Sequence, residues 1–357
     1  MSSSSRIGGC PFLLRSIGKE QLYPFDLEEM NMSKIRTAVV GLRLGLTHVH
    51  AYHHHNDLCE LTYVVDVNEE VASKIAAEFG CKYATDWTQI IDEVDAFSFA
   101  TPHHLHYPMG MQAIAAGKHV LMEKPLANTE EQCLEMIRAA EEKGVTLMLA
   151  YVNRFRPVVL RLKEAIEKEE YGKPINANYW IEAYMPPKPG SWFAGIDTLG
   201  GGVLFSHGCH HIDVLQFVLG TPVEVAGLGT RAGTDWLEGE GTHHAILKFE
   251  NGALGHLITS WGLRFKQTPA RLHLHTTEGC YVMTTDKLEV ITKEGRKTLY
   301  EPAEPVAPNS AAFLEVEHFL QCIQTGARPA IDGYEGLKSL RIIWSIYSHQ
   351  GTKLNIG

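Results

Sequence analysis

This chain has no long hydrophobic run: nowhere in its 357 residues is there an apolar stretch long enough to span a bilayer. Paired cysteines are missing too. The seven present (Cys10, Cys59, Cys81, Cys133, Cys209, Cys280 and Cys322) are odd in number and widely scattered, as reduced thiols in a cytosol are. Positive charge is in deficit, with 32 Lys and Arg against 42 Asp and Glu and a net charge of −10. No basic stripe offsets that balance, which argues against nucleic acid as a partner. The N-terminus has a serine run and a brief apolar patch at residues 11–14, but neither a signal-peptide core nor a small-residue cleavage site. No segment repeats in tandem. These absences leave a cytoplasmic globular protein with no membrane or nucleic-acid partner.

What is present is ordinary core material, 45% hydrophobic and 21% charged, in a chain too long for one core and so expected to form two domains. Residues 1–33 read as an N-terminal arm in which Phe12, Leu13, Leu14, Tyr23 and Phe25 have apolar surface to bury. Over residues 34–152 short apolar runs at 35–40, 61–66, 96–100, 119–122 and 146–150 alternate with helical stretches at 71–79, 108–116 and 129–143. That alternation predicts a doubly wound parallel sheet. Over residues 153–357 the pattern changes to strand-like segments at 176–184, 223–230, 243–249, 253–260, 271–277, 280–284 and 288–292. Their connections carry turn residues such as Glu250-Asn251-Gly252, so a large, mostly antiparallel sheet is expected. Helices are predicted at 203–219, 311–324 and 334–349.

Chemistry concentrates at the ends of the first-half strands. The run at 119–122 delivers Glu123-Lys124-Pro125, which holds Lys124 just outside a strand's carboxyl end, where open α/β sheets bind ligands. Burial there beside a cationic cofactor would lower the lysine's pKa and suit it to proton transfer. The first strand ends in Gly41-Leu42-Arg43-Leu44-Gly45, a degenerate form of the dinucleotide fingerprint G-x-G-x-x-G. Either Arg43 replaces the second glycine, or one residue is missing and Gly45 serves as the third. Asp66 ends the next strand, placed to meet the adenosine ribose hydroxyls, which favours NAD over NADP. The turn Thr101-Pro102-His103-His104-Leu105-His106 follows another strand at the same sheet edge.

A second cluster runs Gly200-Gly201-Gly202-Val203-Leu204-Phe205-Ser206-His207-Gly208-Cys209-His210-His211-Ile212-Asp213. On a regular helix Ser206, His210 and Asp213 share one face. His210 is then a candidate general base. A metal site is not expected, because adjacent His210 and His211 point in different directions. Trp180, Tyr184, Trp192 and Phe193 precede the cluster and offer apolar platforms for a sugar ring.

These segments, with Asn153-Arg154-Phe155, resemble the Gfo/Idh/MocA oxidoreductases (glucose–fructose oxidoreductase, inositol dehydrogenase and relatives) from about residue 35 to the C-terminus. The resemblance implies an N-terminal Rossmann domain and a C-terminal α+β domain for substrate binding and oligomerisation, with C-terminal helices packing back towards the first. It implies a homo-oligomer (dimer, tetramer or higher) acting on a sugar or glycoside. It makes Lys124 and His210 the catalytic pair. Cofactor contacts are expected from Gly41, Arg43, Gly45, Asp66, Thr101, Pro102, His106, Glu123 and Lys124. Substrate contacts are expected from Lys124, Asn153, Arg154, Trp192, Ser206, His207 and His210. Ser206 departs from the family pattern, which usually has aspartate there.

The activity expected is NAD-dependent hydride transfer at a secondary hydroxyl, C3 of a hexose or glycoside. Alternatives are an inositol dehydrogenase, a glycosidase or lyase working by transient C3 oxidation on held NAD, and a non-catalytic sugar sensor.

Overall fold

A computed structural model describes residues 33–188, 190–265, 271–303, 310–349 and 351. The expected N-terminal arm therefore lies outside the described residues, Ser33 excepted. The first strands, β1 (Ile35–Val40), β2 (Cys59–Val65), β4 (Ala96–Phe99), β5 (His119–Glu123) and β6 (Leu147–Ala150), are apolar nearly throughout. That composition suits strands covered on both faces. With the short β3 (Lys82–Ala84) they form a six-stranded parallel sheet in the order β3-β2-β1-β4-β5-β6. The order reverses between β1 and β4, which creates a crevice at their carboxyl ends. Gly41, Thr101 and Lys124 all follow strands that end at this edge.

Helices α1 (Leu46–His54), α2 (Glu69–Phe79), α3 (His106–Ala115) and α4 (Glu130–Lys143) connect the strands. Their ends are marked in the sequence. Asn68 accepts a hydrogen bond from the Val71 amide and Thr129 from the Gln132 amide, capping α2 and α4. Gly80 and Gly144 close the same two helices at φ 69° and 66°, a backbone glycine adopts freely.

The second sheet has eight strands in the order β14-β13-β12-β11-β7-β10-β9-β8. They are β7 (Pro174–Glu182), β8 (Pro222–Thr230), β9 (Thr242–Phe249), β10 (Leu254–Ser260), β11 (Leu272–Thr276), β12 (Cys280–Met283), β13 (Leu288–Thr292) and β14 (Gly295–Tyr300). Every neighbouring pair is antiparallel except β7 with β10. Strand β9 alternates strictly, burying His243, Ala245, Leu247 and Phe249 and exposing the residues between them, so one face packs on a core. Helix α5 (Pro157–Glu167), which the strand-rich reading of this half passed over, and the short α6 (Ile196–Leu199) precede the site-bearing helix.

That helix differs from the expected continuous 203–219. Its first turn, Leu204–Gly208, is π-helical, and α7 (Cys209–Leu219) is regular. The wider turn shifts the register, so Ser206, His210 and Asp213 do not act as one face. Asp213 is fully buried and receives the Arg154 guanidinium in two bonds, Nε to Oδ2 at 2.7 Å and Nη2 to Oδ1 at 2.6 Å. Glu335, at the start of α9 (Gly333–Ser348), adds a carboxylate 3.4 Å from Arg154 Nη1. The substrate contact expected of Arg154 is therefore corrected: its fork is spent on fixing α7 to the turn after β6. Helix α8 (Ser310–Thr325) packs on α1, and α9 on α4 and α7, so the C-terminal helices return to the first sheet.

Breaking a buried pair strands a charge, which costs about 3–5 kcal/mol. Asp213→Ala should destabilise the protein by that order in urea unfolding. A loss of only about 1 kcal/mol, the scale of an exposed pair, would mean that the ion pair does not lock the helix.

Candidate active site

Gly41 adopts φ +88°, and a Cβ there would stand 2.5 Å from the Ala100 oxygen, so only glycine lets β1 turn this close to β4. A Cβ on Gly45 would stand 2.2 Å from the Gly41 oxygen, which gives Gly45 the helix-packing role of the third fingerprint glycine. Arg43 is exposed beside them. Asp66 holds this turn, Oδ2 accepting from the Leu42 amide at 2.9 Å and Oδ1 from the Asn68 amide at 3.0 Å. Each oxygen keeps a lone pair for a ribose hydroxyl. Thr101 Oγ1, at the adjoining strand end, is buried without a partner, and Pro102 beside it is half-buried. A glycine-only turn, an acid at the end of β2 and an orphaned hydroxyl between them fit a dinucleotide.

His106 does not join that surface. It is fully buried, its ring nitrogens 2.6 Å from the Pro125 oxygen and 2.9 Å from the Thr101 oxygen. The cofactor contact expected of it becomes a brace between two loops. His103 braces in a second direction, donating from Nδ1 to the Leu199 oxygen at 2.8 Å and tying the 101–106 turn to α6. Glu123 accepts from the Lys124 amide at 3.1 Å and approaches His48 Nε2 at 3.6 Å. Behind it Glu315 is fully buried, and desolvation, then the Glu123 charge, holds its carboxyl well above the ordinary range, hence protonated.

Lys124 Nζ donates to the Ser206 carbonyl oxygen at 2.9 Å, which brings β5 of the first half against the π turn of the second. The histidines of that turn feel the ammonium. Burial, then the Lys124 charge, pushes His210 well below its usual pKa, and the same two causes take His207 down to about 3. Both rings are therefore neutral. His210 Nδ1 is buried with no hydrogen-bond partner. His207 Nδ1 accepts from the Trp261 indole at 2.9 Å, which leaves the proton on Nε2. Phe193 stacks on Trp261 with centroids 4.4 Å apart, and Trp192 packs 4.9 Å from His103. Trp180 and Tyr184 turn elsewhere, to His273 and Trp236. Asn153 is half-buried in the turn after β6, and Ser206 is buried, offering Lys124 its backbone.

The π turn is anchored by groups no local motif marks. Glu240 accepts from the Leu204 amide at 3.1 Å and from the Tyr347 hydroxyl at 2.7 Å, and that hydroxyl accepts from the Phe205 amide at 3.2 Å. Tyr347 and Trp261 lie far from residue 206 in sequence, so only the fold finds them. Among the described residues no cluster of His, Cys, Asp or Glu could hold a metal ion.

Residues 35–151 match the model of an oxidoreductase family with an NAD-binding Rossmann fold, and residues 159–282 match the Gfo/Idh/MocA C-terminal domain. The chain belongs to the Gfo/Idh/MocA family. It is an NAD-binding oxidoreductase. The 1,5-anhydro-D-fructose reductase of Ensifer adhaerens is 30% identical over 292 residues, 79% of this chain and 86% of that one. The levoglucosan dehydrogenase of Pseudarthrobacter phenanthrenivorans is 27% identical over 325 residues, 76% of this chain and 83% of that one. Among solved structures, an NAD-binding oxidoreductase from Klebsiella pneumoniae superposes with a TM-score of 0.79 at 26% identity, covering 89% of this chain and 97% of that one. Within the family, then, this chain pairs its lysine with a backbone carbonyl and two neutral imidazoles.

Removing the Lys124 charge should let His210 titrate at higher pH. In histidine-selective NMR titration Lys124→Met is expected to move the His210 transition upward. An unmoved transition would show that the ammonium does not act on that ring.

Proposed function

We propose that the protein oxidises a secondary hydroxyl of a sugar, C3 of a hexose or glycoside, with NAD as acceptor. The observation that carries this reading is the approach of the Lys124 ammonium to the π turn bearing His210, at the carboxyl edge of the parallel sheet. Its neutral ring, with a buried Nδ1 free of partners, is a base ready near neutral pH. As the substrate C–H and O–H bonds break and C=O forms, His210 takes the hydroxyl proton. The acceptor for the hydride and its electron pair would be supplied by bound NAD. Lys124 keeps two N–H groups beyond the one given to Ser206, and these stabilise negative charge developing on the substrate oxygen. His207 Nε2–H is a further donor for a neighbouring hydroxyl.

Gly41, Gly45, Asp66 and Thr101 would hold the cofactor, with Glu123 fixing the lysine loop. The choice of C3 of a hexose or glycoside rests on the partly buried aromatic pair Trp192 and Phe193 and on a serine at position 206. Two relatives, named a 1,5-anhydro-D-fructose reductase and a levoglucosan dehydrogenase, agree with a sugar substrate. The described cysteines are free, as cytoplasmic thiols would be. Among the described residues no helix is long and apolar enough to cross a membrane.

Purified protein with NAD and a panel of hexoses, glycosides and inositols should give growth of nicotinamide absorbance with a hexose or glycoside. Lys124→Ala and His210→Ala should each lower kcat about 10²–10⁴-fold with NAD affinity kept. Undiminished turnover in either variant would remove that residue from the chemistry.

A homo-oligomer is proposed from the outer face of the eight-stranded sheet, where Leu228, Ile246 and Leu254 are 64%, 49% and 45% exposed. Light scattering should give at least a dimer mass, which Ile246→Asp should reduce. A monomeric wild type would refute it.

A further inference from the structure

Glu240 lies between Gly239 and Gly241, just ahead of β9 and far in sequence from the reacting groups. Its place against residues 200–205 accounts for a glycine triplet that the cofactor and sugar sites leave unused. A Cβ on Gly202 would stand 1.9 Å from Glu240 Oε2, and one on Gly239 would stand 2.8 Å from the Gly201 oxygen. A Cβ on Gly201 would stand 3.2 Å from the Tyr347 hydroxyl and 2.8 Å from the Phe205 Cβ. The triplet is thus a socket that admits a carboxylate and a phenol against bare backbone.

The Ser206 amide bonds back to the Gly202 oxygen at 3.0 Å, as in a helix, and the four amides before it need partners from outside. Glu240 and Tyr347 supply all four. The Gly202 and Phe205 amides donate to the Tyr347 hydroxyl at 3.3 and 3.2 Å. The Val203 amide donates to the Glu240 main-chain oxygen at 2.8 Å, and the Leu204 amide to Glu240 Oε1 at 3.1 Å. The hydroxyl, with both lone pairs taken, gives its own proton to the same Oε1 at 2.7 Å. A carboxylate suits this arrangement and a carboxylic acid does not. A proton on Oε1 would find no lone pair left on Tyr347, and one on Oε2 would end the charge assistance that makes such bonds strong. The titratable groups against Glu240 are Tyr347 on α9 and His243 on β9, the latter fully buried with both ring nitrogens unpartnered. Glu240 Cγ and His243 Cδ2 each lie 2.9 Å from where a Cβ on Gly229 of β8 would stand. Burial outweighs the bonds and raises the Glu240 carboxyl above its ordinary range, and burial takes His243 down to about 4.

We propose that ionised Glu240, with Tyr347, is a positioning residue for hydride transfer: the pair sets the turn from which the Ser206 carbonyl meets Lys124 and His210 meets the substrate. This deepens, and rests on, the hydride-transfer reading given above. Between residues 201 and 215 every residue except His207 and His210 is buried, so the socket beneath decides where those two rings point. The bond from Lys124 falls on the residue directly after the four held amides. A proton entering Glu240 therefore loosens the turn and misplaces the base, and an ångström of misplacement costs up to about 10²-fold in rate. Acid unfolding is a different event. A carboxyl raised above its ordinary pKa takes its proton without cost to the fold, so activity lost as pH falls through that value is lost from folded protein.

The test sets Glu240→Gln and Tyr347→Phe beside the wild type. kcat is followed against pH on the sugar of the panel above that is oxidised fastest, over the range where circular dichroism shows the fold intact. Near neutral pH each variant should lose about tenfold or more in kcat, with KM for the sugar and NADH affinity close to the wild type. In Glu240→Gln the acid limb should move to lower pH, where His210 alone is left to titrate. A merely structural role would lower the melting temperature and leave that limb in place. Wild-type kcat in either variant, or an acid limb that Glu240→Gln does not move, overturns the proposal. Histidine-selective NMR of the sugar-free protein separates the two readings. The His210 resonance of the wild type should show a second acid inflection besides its own, absent from Glu240→Gln. If no sugar is oxidised, the hydride-transfer reading falls, while that inflection keeps Glu240 in control of the turn. A single inflection in both proteins removes this proposal.

Discussion

The hydrogen bond from the Lys124 ammonium to the Ser206 carbonyl oxygen joins the two halves of this protein where its chemistry is gathered. Its donor comes from the end of a strand buried in a parallel sheet, and its acceptor from a π turn at the start of a helix. Neither element could hold that geometry by itself. The lysine loop is braced from beneath by Glu123 and from the side by His106, whose ring lies against the Pro125 oxygen. The π turn is pinned by Glu240 and Tyr347 at its amides, and α7 behind it by the Arg154–Asp213 pair. Much of the polar hardware outside the cofactor turn thus serves one purpose, which is to keep an ammonium and an imidazole from drifting apart by the ångström that positional catalysis does not tolerate.

Around this cation stand three histidines, His103, His207 and His210, all held neutral by burial and then by the Lys124 charge. Neutrality is what makes them useful in different ways. A neutral ring has one N–H and one lone pair, so the partner of one nitrogen decides the role of the other. For His207 the Trp261 indole takes the lone pair, which turns the ring into a donor. For His103 a backbone carbonyl takes the proton, which makes the ring a strut. His210 Nδ1 alone of these ring nitrogens is buried without a partner, the condition of a base waiting for a proton.

The parallel sheet was legible because its strands are apolar runs covered on both faces, and its helix ends carry Asn68, Gly80, Thr129 and Gly144 as plain signals. The three-residue β3 and the final β14 were not, since both are largely exposed and show no alternation. Helix α5 was readable and overlooked: Pro157 opens it and Val158, Val159, Leu162, Ala165 and Ile166 form its buried face at helical spacing. Lys124, Gly41, Gly45 and Asp66 could be placed from the sequence because each belongs to a local strand–turn pattern. Arg154 was misassigned for the opposite reason. Its meaning depends on Asp213, 59 residues on, and no local spacing announces a pairing of that kind. The π turn was equally hidden, since one extra residue in a helix leaves no periodic trace over so short a run.

Ser206 has an electrostatic consequence that reaches across the whole cleft. The family resemblance leads one to expect an aspartate at this position, and a carboxylate there would have stood beside Lys124 and offset its charge. Serine adds no such carboxylate beside the main-chain carbonyl that Lys124 meets, and the lysine's charge acts on His207 and His210. The field keeps His210 unprotonated to lower pH than an offset lysine would.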